Sequence, residues 1–208
     1  MSFFSKLFFL LFCTCSFVLA QDYKLVKNPN QLIAKFKQSS QSIQSIEATF
    51  VESKEIKVLK NKQQTSGVFY YKKDDKMRWE QVQPSSYIIL IDGDAIKIKD
   101  GASKKDMAGS RMATQIKSLL MGLVNGNFNE DNAFSKQYFE NEQYYQVSLT
   151  PVNRRLKNIY SNISLTFDKK SLNLTQLNFE EKGGDSSAMK FSKHKINLPI
   201  KDALFRSF

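Results

Sequence analysis

Hydrophobic and polar residues alternate over many short segments of this chain, which is the pattern of half-buried β-strands. In residues 95–99, two isoleucines alternate with two lysines. Asp92 and Gly93 form a tight-turn signal between this segment and a continuous apolar run at residues 87–91. Further strands are predicted at residues 47–58, 66–72, 76–82, 144–149, 163–167, 172–179 and 188–191. Antiparallel strands joined by hairpins therefore dominate the chain.

Two segments instead repeat their hydrophobic residues at helical spacing. The first covers residues 30–43 and follows Asn28 and Pro29, a typical start signal. Its predicted inward residues are Leu32, Ile33, Phe36 and Ile43. The second covers residues 110–125, with Gly126 at its end. Its hydrophobic face comprises Met112, Ile116, Leu119, Leu120 and Leu123.

The order of these elements predicts a mainly β protein with helices, in the α+β class. The strands show no alternation with helices, so a parallel sheet is not expected. We expect a strongly curved antiparallel sheet of about nine to eleven strands. The two helices are left to cover its concave face.

The first twenty residues have the layout of a secretory signal peptide. Lys6 precedes an apolar stretch at residues 7–12, and Ala20 stands before a sharply polar segment. A membrane anchor is the rival interpretation, but the apolar run is shorter than the roughly 20 residues that span a bilayer. Cys15 allows a lipid-modified N-terminus, although Thr14 occupies a position where such sites favour a smaller residue. We expect cleavage after Ala20 and a single exported domain at residues 21–208.

Cleavage would remove both cysteines of the chain, so the exported domain has to fold without disulfides. The formal net charge is +11, and the lysines are spread in ones and twos along the predicted strands. A dispersed basic surface usually serves solubility, with attraction to anionic phospholipids as the alternative. Nucleic acid is not expected as a partner of an exported protein.

Little in the sequence indicates catalysis, a metal site or a cofactor. His194 is the only histidine and lies in a lysine-rich stretch near the C-terminus. No G-x-S-x-G motif marks an activated serine, and no cluster of histidine and cysteine has metal-binding spacing. The carboxylates Asp74, Asp75, Asp92 and Asp94 stand in turn-like positions where Asp bonds the backbone. We therefore expect that the protein is not an enzyme.

Aromatic residues make up 12% of the chain, and several fall within one pair of predicted hairpins. The hairpin residues are Phe69, Tyr70, Tyr71, Met77, Trp79 and Tyr87. An ordinary sheet core explains most of them. A curved sheet with only two helices to fill its concave side also allows a hollow apolar cavity that holds a ligand.

Four motifs in this half of the chain resemble the LolA family, periplasmic carriers of outer-membrane lipoproteins. The motifs are Ile46-Glu-Ala-Thr-Phe50-Val, Ser66-Gly67-Val-Phe-Tyr-Tyr-Lys-Lys73, Met77-Arg-Trp79-Glu followed by Pro84, and Tyr87-Ile-Ile-Leu-Ile-Asp92-Gly93. Each is weak alone, but they occur in the family's order behind a signal peptide. The resemblance in layout runs from about Gln31 to Phe205.

The resemblance implies an unclosed β-barrel with a helical lid around a cavity for the acyl chains of a lipoprotein. It also implies a monomer in the periplasm of a diderm bacterium, loaded by an inner-membrane ABC transporter and unloaded to an outer-membrane acceptor. The residues expected to bind cargo or form the lid are Phe50, Phe69, Tyr71, Lys73, Met77, Trp79, Ile89, Ile116, Leu119, Leu120 and Leu123. A lipid or lipoprotein sensor of the same fold, acting on a membrane partner, is the alternative.

Three positions depart from the family pattern, and one of them is Asp74, where the family commonly has a proline. In the family, an arginine that follows the glycine in this strand latches the lid by bonding the backbone of the lid helix, and Lys73 stands at the matching position. Lysine keeps the charge but lacks the planar fork that bonds two carbonyls, so a looser latch is expected. A family phenylalanine involved in cargo transfer matches Met77, which is apolar but more flexible.

Overall fold

Twelve antiparallel strands form one curved sheet in the computed structural model, which describes residues 22–58, 61–107, 121–122 and 133–208. The strands are β1 (Lys24–Leu25), β2 (Ser45–Ile56), β3 (Asn61–Lys72), β4 (Lys76–Gln83), β5 (Tyr87–Asp92), β6 (Ala95–Asp100), β7 (Ser103–Asp106), β8 (Phe134–Glu140), β9 (Tyr144–Pro151), β10 (Tyr160–Asp168), β11 (Leu174–Glu181) and β12 (Ser186–Ile196). Their spatial order is β1-β8-β9-β10-β11-β12-β2-β3-β4-β5-β6-β7. Since β1 and β7 are the two edges, the sheet is unclosed, as predicted.

The sheet contains more strands than the nine to eleven expected from the sequence. β1 is only two residues long, and all four residues of β7 are exposed, so neither carries a hydrophobic pattern. β8 does alternate, since Phe134 and Tyr138 are buried, but it was not predicted. The first two omissions are edge strands, where burial imposes little pattern on the sequence.

Helix α1 (Pro29–Gln41) begins where Asn28 and Pro29 predicted, and the side chain of Asn28 accepts a hydrogen bond from the backbone of Gln31. Phe36 is buried and lies 4.6 Å, centroid to centroid, from the ring of Phe167 on β10. α1 therefore packs on the β9 and β10 side of the concave face. The fully buried residues there are Val147, Leu149, Ile163 and Leu165.

Within the described residues 133–208, a short helix (Arg154–Lys157) lies between β9 and β10, and a 3-10 helix (Asp202–Phe205) lies near the C-terminus. The 3-10 helix lies on the convex face against β4 and β5. Ile88, Leu90 and Phe205 are buried there. No helix among the described residues is long and apolar enough to cross a membrane.

Arg78 fastens the C-terminal segment to the convex face. Its side chain is 8% exposed and donates hydrogen bonds to the carbonyl oxygens of Leu204, at 3.0 Å, and Ser207, at 2.9 Å. Its Nε also lies 2.7 Å from a carboxylate oxygen of Glu80. A buried guanidinium with three such acceptors is well satisfied, so the segment supports β4 from behind.

Gly67 allows β3 to pass unusually close to β4 and to a ring on β2. A Cβ built on Gly67 would lie 1.9 Å from the carbonyl oxygen of Glu80 and 2.7 Å from Cζ of Phe50. The pairing of β3 with β4 shifts between Ser66 and Gly67, as at a β-bulge. Any side chain at this position must therefore displace backbone or an aromatic ring.

We expect Gly67→Ala to lower the free energy of unfolding by about 3 kcal/mol, because the methyl group has no room. Chemical denaturation of the purified protein measures this loss. Gly183→Ala is the matched control, since a Cβ there meets nothing within 4 Å. Equal stability of the two variants would contradict the close approach.

Candidate functional site

Four aromatic side chains meet on the concave face where β12, β2, β3 and β4 lie side by side. We call Phe50, Phe69, Trp79 and Phe191 the aromatic cluster. Phe191 pairs with Phe50 across β12 and β2, and Phe69 pairs with Trp79 across β3 and β4. Directly paired residues point to the same face of a sheet, so the four rings converge.

The rings pack as a connected set. Phe50 stacks on Trp79 with centroids 4.2 Å apart and planes 32° apart. Phe191 meets both Phe69 and Trp79 edge-on at 6.3 Å. The Phe50 ring reaches Trp79 across the intervening β3, which it can do because Gly67 has no side chain there.

The aromatic cluster is only partly covered. Phe50 and Phe69 are buried, whereas Trp79 and Phe191 are half-buried. Ile89, the partner of Trp79 on β5, is half-buried as well. This part of the concave face therefore keeps accessible apolar surface, in contrast to the fully buried side chains of β9 and β10.

A polar patch lies beside the aromatic cluster on the same face. Glu52, two residues after Phe50, accepts hydrogen bonds from the hydroxyls of Thr65, at 3.1 Å, and Ser187. Thr65 pairs with Glu52 across β2 and β3. The apolar surface consequently ends at this side of Phe50.

Tyr71 lies at the opposite side of the cluster, paired with Ile46 and with Met77. The Tyr71 side chain is buried, and this burial, together with the negative charges of Asp75 and Asp74, raises the pKa of its phenol to about 12. It stays neutral at physiological pH. Met77 is fully buried beside it.

Most of the predicted cargo-binding residues that the structure describes share the concave face. They are Phe50, Phe69, Tyr71, Met77, Trp79 and Ile89. Phe50, Phe69, Tyr71 and Met77 form the buried floor, and Trp79 and Ile89 are the more accessible members. Their role in cargo binding stays a prediction.

Lys73 lies just after β3 in an exposed turn. Its backbone N–H donates to the carbonyl oxygen of Gln44 at 2.8 Å, and Asp74 and Asp75 follow with positive φ. Its ammonium group forms no hydrogen bond or ion pair with another described residue. The predicted lid partners Ile116, Leu119, Leu120 and Leu123 lie outside the described residues, so the latch stays a prediction too.

Phe191 and Met121 were not among the predicted site residues. Phe191 completes the aromatic cluster, and Met121 is buried in the same core as Phe50 and Met77. Phe191 belongs to a predicted strand, but its face follows only from the pairing of β12 with β2. Met121 lies between residues of the predicted helix face and was not assigned to it.

A second concavity, of about 620 Å³, lies beside α1 near the ends of β1 and β8. Its lining combines Val26, Leu32 and Tyr145 with Lys27 and Lys35. Charged and amide groups form much of its wall, so it lacks the continuous apolar surface of the aromatic cluster.

His194 contributes to the packing of the sheet through a hydrogen bond to the backbone. Its Nε2 lies 2.9 Å from the carbonyl oxygen of Leu174, and burial lowers the pKa of the imidazole. A neutral ring that donates to a backbone carbonyl ties β12 to β11. Within the described residues, no group of histidine, aspartate and glutamate side chains has the arrangement of a metal site.

Comparison with known families gives a match over most of the chain. The model described as "Outer membrane lipoprotein carrier protein LolA" matches residues 41–207. A comparison with curated proteins gives no significant match.

Solved structures with the same fold include MucB and an uncharacterized conserved protein from Thermus thermophilus. MucB has a TM-score of 0.51 and 12% identity, with 86% of this chain covered and 62% of MucB. The Thermus protein has a TM-score of 0.50 and 10% identity, with 87% and 94% covered. A LolA superfamily protein from Nitrosomonas europaea aligns with a TM-score of 0.44 and 14% identity over 83% of this chain and 96% of its own. At these identities the first two show a shared fold.

The raised pKa of Tyr71 predicts a loss of stability at alkaline pH. Between pH 10 and about 12 the unfolded chain loses the Tyr71 proton while the folded chain keeps it. Stability therefore falls as the pH rises, by at most about 1.4 kcal/mol per pH unit from this group.

We expect Tyr71→Phe to weaken this alkaline dependence. Denaturation midpoints of the wild type and the variant at pH 7, 9 and 11 measure it. The stability advantage of the wild type over the variant, whatever its size at pH 7, should shrink at pH 11. Parallel curves across this range would contradict the assignment.

Proposed function

Because this chain belongs to the LolA family, we propose that it is a periplasmic carrier that binds the acyl chains of lipoproteins and delivers them to the outer membrane. The observation that carries the proposal is the partly covered apolar surface of Trp79, Ile89 and Phe191 on the concave face. An acyl chain has no polar group that could form a hydrogen bond, so only an apolar surface of this kind can shelter it from water.

The free energy of acyl-chain binding suits a carrier only if the acyl chain is incompletely buried, because a carrier also has to release its cargo. Full burial of a methylene group contributes about 0.8 kcal/mol, so a chain of about 16 carbons approaches 12 kcal/mol. Such affinity would rival the stability of a whole domain and would prevent release. A surface whose rings are already packed on one side, as Phe50 and Trp79 are, offers less than this maximum.

The proposed cargo is acylated lipoproteins, received from an inner-membrane ABC transporter and passed to an outer-membrane acceptor where one exists. The carrier would work as an exported monomer after cleavage at Ala20. It would be no enzyme, since binding and release of an acyl chain need no chemical step. A sensor of the same fold is the alternative.

The proposal is tested by purifying the exported protein and identifying what is bound to it by mass spectrometry. Acyl lipid or lipoprotein is expected. The purified protein should also release labelled lipoprotein from spheroplasts into the soluble fraction. A bound protein without lipid, and no release from spheroplasts, would favour the sensor.

Ile89→Gln should weaken the binding of a triacylated lipopeptide by about tenfold, because it places an amide on the apolar surface. The emission of Trp79, the only tryptophan of the chain, reports binding directly. Val51→Gln is the matched control, since Val51 is 42% exposed and lies on the convex side of β2. Equal affinities of the two variants would rule out the concave face as the acyl-chain site.

Lys73→Ala should change lipoprotein uptake and hand-over if Lys73 latches a lid. Loss of the ammonium would favour an open lid, which we expect to speed both uptake and release, whereas Lys73→Arg should slow release through a second hydrogen bond. Spheroplast release followed by transfer to outer-membrane vesicles measures both steps. Lys170→Ala, an exposed lysine in another turn, serves as the control. Unchanged uptake and hand-over in Lys73→Ala would show that the latch assignment is wrong.

A further inference from the structure

Three chain connections lie next to one another at one end of the sheet. They join β2 to β3, β9 to β10 and β11 to β12, and the six strands are neighbours in the order β9-β10-β11-β12-β2-β3. We call this the loop end. Hydrogen bonds join these connections. The backbone N–H of Lys57, after β2, donates to a carboxylate oxygen of Asp185, before β12, at 3.0 Å. The backbone N–H of Lys182, after β11, donates to the carbonyl oxygen of Ile159, before β10, at 2.9 Å.

The loop end exposes apolar side chains. Val58 is 88% exposed, Ile159 is 50% exposed and Val152 is 48% exposed. Single exposed apolar residues are common and need no explanation. Val152 and Ile159 belong to the β9–β10 connection, and Val58 belongs to the β2–β3 connection on the other side of the β11–β12 turn. Three exposed apolar side chains at the same end of one sheet are an unfavourable exposure to water that packing within the fold does not offset.

Basic side chains surround these apolar residues. The exposed ones are Lys57, Arg154, Arg155, Lys157 and Lys182. Nearby carboxylates are largely occupied, since Glu181 pairs with Lys54 at 3.3 Å and Glu55 pairs with Lys62. Within the described part of the chain, no carboxylate lies within 4.0 Å of the Arg154, Arg155, Lys157 or Lys182 cations.

From this combination we propose that the loop end docks on the surface of a bilayer rich in anionic phospholipids. Exposed apolar side chains enter the interfacial layer, and the basic residues around them interact with the phosphate groups. Nucleic acid or an acidic protein surface would use the cations and leave Val58 and Ile159 exposed. A bilayer uses both.

Docking at this end would also bring the candidate site near the membrane. Phe50 lies six residues before Ile56, the last residue of β2 at the loop end, which corresponds to roughly 20 Å along the strand. An acyl chain that leaves the aromatic cluster toward the loop end would therefore meet a lipid surface after a short distance.

Vesicle sedimentation tests the proposal with the exported protein. We expect binding to vesicles of phosphatidylcholine with about one third phosphatidylglycerol, and little binding to phosphatidylcholine alone. Lys157→Gln and Lys182→Gln should each lower the partition coefficient about fivefold, the effect of one cation near an anionic surface. The double variant Val58→Ser and Ile159→Ser should reduce it by at least as much.

Matched controls come from the opposite end of the sheet. Lys170→Gln removes an exposed cation in the β10–β11 turn, and Leu198→Ser removes an apolar side chain that is 52% exposed, like Ile159. Both should bind vesicles as the wild type does. All variants should still bind lipopeptide, which separates a failure of docking from a failure of the carrier proposal.

A label at Val58 tests insertion directly. The chain has no cysteine after residue 15, so Val58→Cys can carry a single environment-sensitive fluorophore in the exported protein. Its emission should shift to the blue with anionic vesicles, and that of a Leu198→Cys label should not.

No binding to anionic vesicles, or equal losses in loop-end and opposite-end variants, would overturn the proposal. Binding that depends on Lys157 and Lys182 but is unchanged by the Val58 and Ile159 double variant would also overturn it, because it would show adsorption by charge alone.

Discussion

The close approach of β3 to β4 and to the Phe50 ring at Gly67 is the contact that shapes the centre of the concave face. Because Gly67 has no side chain, the carbonyl oxygen of Glu80 and the ring of Phe50 occupy the space beside its Cα. The same vacancy lets Phe50 reach across β3 and stack on Trp79. With a side chain at position 67, the backbone of β4 or the ring of Phe50 would have to move, and the stacking of Phe50 on Trp79 would be disturbed. The contact between Phe50 and Trp79 therefore depends on the absence of a Cβ at Gly67.

The two halves of the sheet are packed from different sides, one on the concave face and the other on the convex face. On the β9 and β10 side, α1 places Phe36 against Phe167, and the residues beneath are fully buried. On the β4 and β5 side, the support comes from behind, where Arg78 holds the C-terminal segment on the convex face. Trp79 follows Arg78 directly and points to the opposite face of β4. Support from the convex side fixes β4 while leaving the surface of Trp79 available.

Several of these features could be predicted from the sequence because they depend on neighbours along the chain. Asn28 and Pro29 predicted the start of α1, and Asp92 with Gly93 predicted the β5–β6 hairpin, since caps and turns are local. Trp79 and Ile89 could be placed in adjacent strands for the same reason. Phe191 could not be joined to them, because its position depends on β12 pairing with β2, more than a hundred residues apart in sequence. The short edge strands β1 and β7 carry too little buried surface to leave a pattern. The role of Lys73 rests on the family resemblance and on residues that lie outside the described part of the chain.

The concave face and the loop end differ in how their interactions respond to conditions, and this difference suits a carrier. The free energy gained by burying an acyl chain grows with the apolar area removed from water and depends little on salt. Attraction of the loop-end cations to a bilayer acts over a screening length of about 8 Å at physiological ionic strength and weakens as salt rises. A protein that docks by the second kind of interaction can leave a membrane readily while it keeps cargo held by the first. The exposed side chains of Val58 and Ile159 are few enough to add residence at the surface without anchoring the protein there.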